Sequence, residues 1–245
     1  MADVPGGVSL VERDLREIFG ARLQSFVAYG LRASAGARDP AHGAHAPAPV
    51  ARTLAVVDTL TGVDLKACAD RATRWHEAGV ATPLLIAADE LRRSLDVFPL
   101  ELGAILADHV LVSGRNPFDG LSVDPADVRR ATEVQARSHL LHLREGFVET
   151  RGRADALAVL IVNSAPPFAA LLTSVAQLQG RATADHAAAG RHAERELQVP
   201  PGAISEIVAL AHVTEISSAE ATRIFPAYLD AVEKLVKYVD GWSSR

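Results

Sequence analysis

The side chains able to do chemistry fall into a few groups along the chain. Asp39, His42 and His45 combine a carboxylate with two imidazoles, a donor set suited to zinc or another transition metal. The same stretch also reads as a solvated Ala/Pro/His loop. Asp58 is the other carboxylate between Gly30 and Gly62, too far along the chain from Asp39 to share a strand face with it. Gly30, Arg32 and Ser34 follow an apolar run, where a helix N-terminus would hold an anion through backbone N–H groups. The alternative there is an ordinary surface turn. Cys68 falls on the apolar face of a helix and reads as a small core residue. Trp75-His76-Glu77 closes a helix, where the dipole favours a cationic His and no catalytic role is required.

These groups must be held by elements that the patterning predicts. Val11, Leu15 and Ile18 recur at helical spacing up to Gly20. QSFVAY (24–29) reads as a buried strand stopped by Gly30, and TLAVV (53–57) as a second. Residues 31–50 between them, with Pro40, Pro47 and Pro49, make a long loop of the kind that carries function beside strand ends. Residues 63–78 predict one helix ended by Gly79, and TPLLIA (82–87) a third strand, so that strand, helix and strand form a parallel unit. Asp89 is expected to cap a short helix over 90–95, with helical turns at 100–106 and an edge strand HVLV at 109–112.

The turn-rich NPFDGLSVD (116–124) marks a boundary, after which the pattern is helical throughout. Helices are expected at 125–149, 154–179, 182–197 and 203–212. A last one follows a Ser217/Glu220 capping box, with Phe225, Tyr228, Val232, Leu235, Val239 and Trp242 on one face. Pro166-Pro167 should kink the second of these.

With 245 residues, 49% of them apolar and a net charge of −5, the chain has material for a full core and no global basic footprint for nucleic acid or anionic lipid. Aromatics at 5% leave no row of rings for stacking bases. A single cysteine excludes an internal disulfide, and the absence of an apolar run near 18 residues argues against a membrane span. A cytoplasmic protein is expected. The Arg- and Ala-rich usage, with Lys only at Lys66, Lys234 and Lys237, suggests a GC-rich bacterial genome.

The order helix, strand, Gly, loop, strand, followed by a helical bundle, resembles the nucleotidyltransferase superfamily that includes DNA polymerase beta and kanamycin nucleotidyltransferase. The resemblance rests on FVAYGLRASAG and VARTLAVVD, and on LLIAADELRRS, DVFPLELGAILADHVLVSGRNPF and FPAYLDAVEKLVKYVDGW, which look like a bacterial two-domain branch. It covers nearly the whole chain. It implies an α+β domain with a mixed sheet over about 1–120, an all-α bundle over about 121–245, and a ligand site between such domains in active relatives. It also implies two-metal phosphoryl transfer, with carboxylates holding Mg²⁺ on a nucleoside triphosphate. Laid on the family motif, the Ser after Gly30 is Leu31, the two aspartates fall on Ala51 and Thr53, and TPLLIA holds no acid for the third. Arg137/His142 and Arg181/His186 carry the Arg-x4-His spacing of the RNA-cutting motif in HEPN-type helical domains; the other reading is solvated helix faces.

Three functions are therefore in view. The first is a catalytically degenerate nucleotidyltransferase-like protein that binds a nucleotide, another small molecule or a protein partner, with no cofactor. The second is an active transferase using Mg²⁺ and a nucleoside triphosphate, with substitute carboxylates from Asp39, Asp58, Asp89 or Glu90. The third is a structural homodimer built on the helical face ending in Trp242.

Overall fold

The computed structural model describes residues 5–31, 50–181, 183 and 185–242. The chain divides into two compact units, Met1–Asp124 and Pro125–Arg245.

The first unit is a mixed sheet with helices on both faces. Helix α1 (Gly6–Phe19) leads through a 3-10 turn into β1 (Leu23–Tyr29), and β2 (Arg52–Val57), α2 (Gly62–Ala69), α3 (Ala72–Glu77) and β3 (Leu84–Ala87) follow. Then come α4 (Ala88–Ser94), α5 (Pro99–Ala107) and β4 (His109–Gly114). The strand order is β3-β2-β1-β4, with β2 parallel to β3 and β1 antiparallel to both β2 and β4. The central strands are mostly apolar, with Phe26, Val27, Ala28, Leu54, Ala55, Val56 and Val57 all buried, because both faces are covered. Phe26, Ala28, Ala55 and Val57 pack toward α1 and Trp75, while Val27, Leu54 and Val56 pack toward Leu91, Leu102 and Ile105.

Long-range polar staples hold the helices in place. Asp14, 1% exposed, accepts from the Trp75 indole at 2.8 Å and from Arg74 at 2.7 Å, tying α1 to α3. Asp64 accepts both arms of Arg22 at 2.9 and 2.7 Å, together with the backbone N–H and hydroxyl of Thr61. The Arg22 guanidinium and these Thr61 donors hold its carboxyl well below the usual carboxylate range. Gly7 lets α1 approach the chain after α3, since a Cβ there would lie 2.2 Å from the Ala78 carbonyl oxygen.

The expected single helix over 63–78 is two, α2 and α3, broken at Asp70–Arg71. Strand β3 starts at Leu84 and not Thr82. Asp89 does not cap α4; Glu90 reaches back to the Ala87 N–H at 3.0 Å.

The second unit is helical: α6 (Pro125–Glu149), α7 (Ala154–Leu178), α8 (His186–Glu196), α9 (Ala203–Ala209), a 3-10 turn at Leu210–His212 and α10 (Ser218–Gly241). Helix α7 is its centre, with Ile161, Phe168, Leu171 and Leu172 closed from solvent, and it stays helical through Pro166-Pro167. By length and composition it is apolar enough to cross a membrane, as a core helix of a folded unit also can be, although the sequence holds no unbroken apolar run of that length. Ile204, Ile207, Tyr228, Val232 and Leu235 complete the core around it. At the start of α10, Ser217 accepts from the Glu220 N–H at 3.2 Å, the half of the expected capping box that the structure describes.

Several buried polar side chains of this unit are paired, although Gln135 Oε1 and Ser205 Oγ have no hydrogen-bond partner among the described residues. The Tyr228 hydroxyl donates to the Ser164 carbonyl at 3.1 Å and lies 2.9 Å from His139 Nε2. Its single proton is committed to Ser164, so His139 Nε2 carries the hydrogen and donates to the phenol oxygen. Glu194, 8% exposed, accepts the backbone N–H groups of Ile204 and Ser205 at 3.0 and 2.7 Å and so caps α9.

Candidate functional site

Of the positions singled out by the sequence, Gly30, Leu31, Ala51 and Thr53 lie at one end of the sheet, where β1 finishes and β2 begins. Gly30 ends β1 with φ +68°, a left-handed conformation open to glycine, and its N–H donates to the Asp108 carbonyl at 3.1 Å. Leu31 is helical and packs partly buried against the α1-side core. Arg32, Ser34, Asp39, His42 and His45 lie outside the described residues.

Ala51 and Thr53 are interior. Ala51 is 5% exposed and uses both backbone groups, donating to Gly79 and accepting from Ala81. Thr53 is 1% exposed, faces Ala28 across the β1–β2 ladder, and its hydroxyl has no hydrogen-bond partner among the described residues. An orphaned buried hydroxyl is a polar atom that the fold tolerates at a cost. It supplies no carboxylate, and neither do RTLAVV and LLIA, the described strands β2 and β3. Among the described residues of β1, β2 and β3, this end offers no pair of the hard, anionic oxygens that Mg²⁺ calls for; the carboxylate nearest to it in the chain belongs to Asp108, just before β4, whose carbonyl accepts from Gly30.

The substitute carboxylates stand elsewhere. Asp58 follows the far end of β2, where it accepts from Gln24 and its backbone N–H donates to Arg22. Asp89 is paired with Arg93 at 2.5 Å, and Glu90 caps Ala87. No group of three His, Cys, Asp or Glu side chains able to hold a metal occurs among the described residues.

The remaining candidates are structural. Cys68 is 4% exposed and burial pushes its thiol up, away from the thiolate that a nucleophile needs. His76 bonds Thr82 at 3.0 Å. In the helical unit, Arg137 is held by Glu133 and by Asp240 at 2.8 Å, while His142 turns to Glu145 at 3.3 Å. The pair is thus drawn apart. Arg181 follows α7 and His186 opens α8, on separate elements.

The sequence reading missed the opposite end of the sheet. There β2, β3 and β4 finish and β1 starts, and an open groove of about 720 Å³ lies between the chain after β3 and the chain after β4. Its walls carry Ala88 and Arg92 on one side and Arg115 and Asn116 on the other. Ligands of open α/β sheets gather outside the carboxyl ends of strands, and three of the four strands end here. The one signal in the sequence was SGRNP at 113–117, a glycine that re-aims the chain just before two polar side chains.

No model of a known protein family matches this chain, and no curated protein matches it.

Proposed function

We propose that the chain is a nucleotidyltransferase-like protein that has lost transfer chemistry and acts by binding, as a ligand sensor or a protein-interaction module. The observation that carries this reading is the burial of Ala51 and Thr53 at the start of β2, where the resemblance requires two carboxylates. Supporting it, the element order α1, β1, Gly30, helical Leu31, β2 is the order the resemblance asks for. Described candidates for replacement ligands, Asp58, Asp89 and Glu90, belong to the other end of the sheet or its following helix and already have partners.

Calorimetric titration of the full chain with ATP, GTP, CTP and UTP, each with and without Mg²⁺, tests it. The expected outcome is no Mg²⁺-dependent binding and no triphosphate consumption. Micromolar binding that requires Mg²⁺, or turnover abolished by Asp58→Ala or Asp39→Ala, would return the active-transferase reading. Metal-independent binding supports a nucleotide sensor, and no binding of any triphosphate supports a role toward another ligand or a protein.

A further inference from the structure

The groove at the Gly114 end of the sheet has its own construction, and that construction specifies a ligand. Arg115 is fixed by its backbone. Its N–H donates to the Gln24 carbonyl at 3.2 Å, and its carbonyl accepts from the Ser25 hydroxyl at 2.5 Å, with Ser25 itself 4% exposed. Gly114 just before it has φ +83°, and a Cβ there would lie 2.0 Å from the Gln24 carbonyl oxygen, so only glycine permits this approach. The register of β1 against β4 slips between Phe26 and Val27, placing a bulge in the strand that delivers Arg115. Asn116 is equally constrained: its Oδ1 accepts from the Phe118 N–H at 3.1 Å and faces His109 Nε2 at 3.2 Å, which leaves its amide N–H groups to donate.

The charges in the groove do not cancel. Arg93 is neutralised by Asp89. Arg92 and Arg115 have no side-chain partner among the described residues, and the groove's other acid is the exposed Asp119. Two guanidinium forks facing one cavity match a dianion, and at neutral pH a phosphate monoester is one. The acceptors left over, the Asp119 carboxylate and the Gln24 Oε1 whose amide nitrogen is engaged by Asp58, suit hydroxyl groups, and Val56, Leu91 and Pro117 give the wall an apolar floor.

From this arrangement we infer that the groove binds a phosphate monoester of a small hydroxylated molecule, a sugar phosphate, with Arg92 and Arg115 on the phosphate and Asp119 on a hydroxyl. The inference deepens the reading of the chain as a binding protein and uses no residue of the Gly30 end.

Ribose 5-phosphate is the probe, titrated calorimetrically into the full chain beside ribose, inorganic phosphate and malate. Ribose 5-phosphate should bind with Kd of about 1 mM or tighter; inorganic phosphate should bind more weakly and ribose not at all. Arg115→Ala and Arg92→Ala should each weaken binding about tenfold or more, since each removes a charge-assisted contact, while the melting temperature stays put. Arg115→Lys should recover part of the loss and Asp119→Asn should weaken ribose 5-phosphate but not inorganic phosphate. No binding of ribose 5-phosphate, or binding unchanged in both Ala variants, overturns the site, and malate binding as tightly overturns the phosphate assignment. Mg²⁺-dependent triphosphate binding that survives Arg115→Ala would instead overturn the degenerate-site proposal and leave this one standing.

Discussion

His139 should make the helical unit lose stability as the solution is acidified, by an amount the structure sets. The imidazole is wedged between Phe168, whose ring stacks on it with centroids 5.5 Å apart, and Tyr228. Burial, with a smaller contribution from His142, pushes its pKa from 6.5 down to about 4. Its Nε2 hydrogen is already given to the Tyr228 oxygen, so the second proton would go on Nδ1 inside the packing. The folded state therefore takes up this proton more reluctantly than the unfolded chain. The stability this contributes is fully present above pH 6.5 and is lost as pH falls toward 4. The fall from 6.5 to about 4, at about 1.4 kcal/mol for each tenfold change in proton affinity, sets a ceiling of about 3.5 kcal/mol. Urea unfolding of the full chain followed by circular dichroism, at half-unit steps from pH 7.5 to 4, would measure it beside His139→Phe. The Phe variant keeps the stack on Phe168 and cannot titrate. Wild type should lose stability relative to the variant across that window, approaching the calculated difference near pH 4. A difference independent of pH, or one that grows in the opposite sense, would refute the burial argument.

Three further outcomes follow from named contacts. Thr53→Val should leave stability unchanged or raise it by about 1 kcal/mol in thermal unfolding, because it removes a buried hydroxyl without a partner while keeping the shape; a clear loss would mean that the hydroxyl is bonded. Glu194→Gln should cost about 1 to 2 kcal/mol, since a neutral amide oxygen is a weaker acceptor for the Ile204 and Ser205 N–H groups. Burial opposes ionisation of Glu194, but these donors outweigh it and lower its pKa, so the contribution is present near neutral pH and fades on acidification below the usual glutamate value. Gly7→Ala should destabilise by about 1 to 3 kcal/mol in spite of the gain in helix propensity, because its Cβ would meet the Ala78 backbone and not a side chain able to move.

Elements were legible where one local pattern decided them. The apolar run QSFVAY, ended by a Gly that the structure holds at positive φ, became β1, and the three-and-four spacing of Phe225, Tyr228, Val232, Leu235 and Val239 put them all inside the bundle as the buried side of α10. The break between α2 and α3 was not legible, because α2 is held in part by Arg22, a partner of Asp64 far away in sequence. The same holds for Asp14 with Trp75 and for Glu194 with Ile204. A carboxylate's role is decided by which donor the fold brings to it, and that information is not in its immediate neighbours. Of the candidate site, the uncharged side chains at Leu31, Ala51 and Thr53 could be read directly, since that required only residue identities. The groove could not, because Arg92 and Arg115 come to line one groove only after β3 and β4 have been placed on either side of the β1–β2 pair.

The two ends of the sheet use their residues differently. The end holding Gly30, Ala51 and Thr53 lies where β1 finishes and the groove where β1 starts, with His109, opposite Tyr29, reaching Asn116 of the groove wall. At the first end Ala51 packs against the α1-side core, and the described neighbours of Thr53 there are equally interior, so residues at these positions contribute burial whether or not they ever met a metal. At the second end Arg115 contributes little burial, and yet Gly114, Ser25 and the slip in β4 are all spent on aiming it. An exposed side chain needs no such anchoring to stay soluble. The physical contrast between a buried, neutral motif position and a braced, exposed cation is the reason to place binding at the groove.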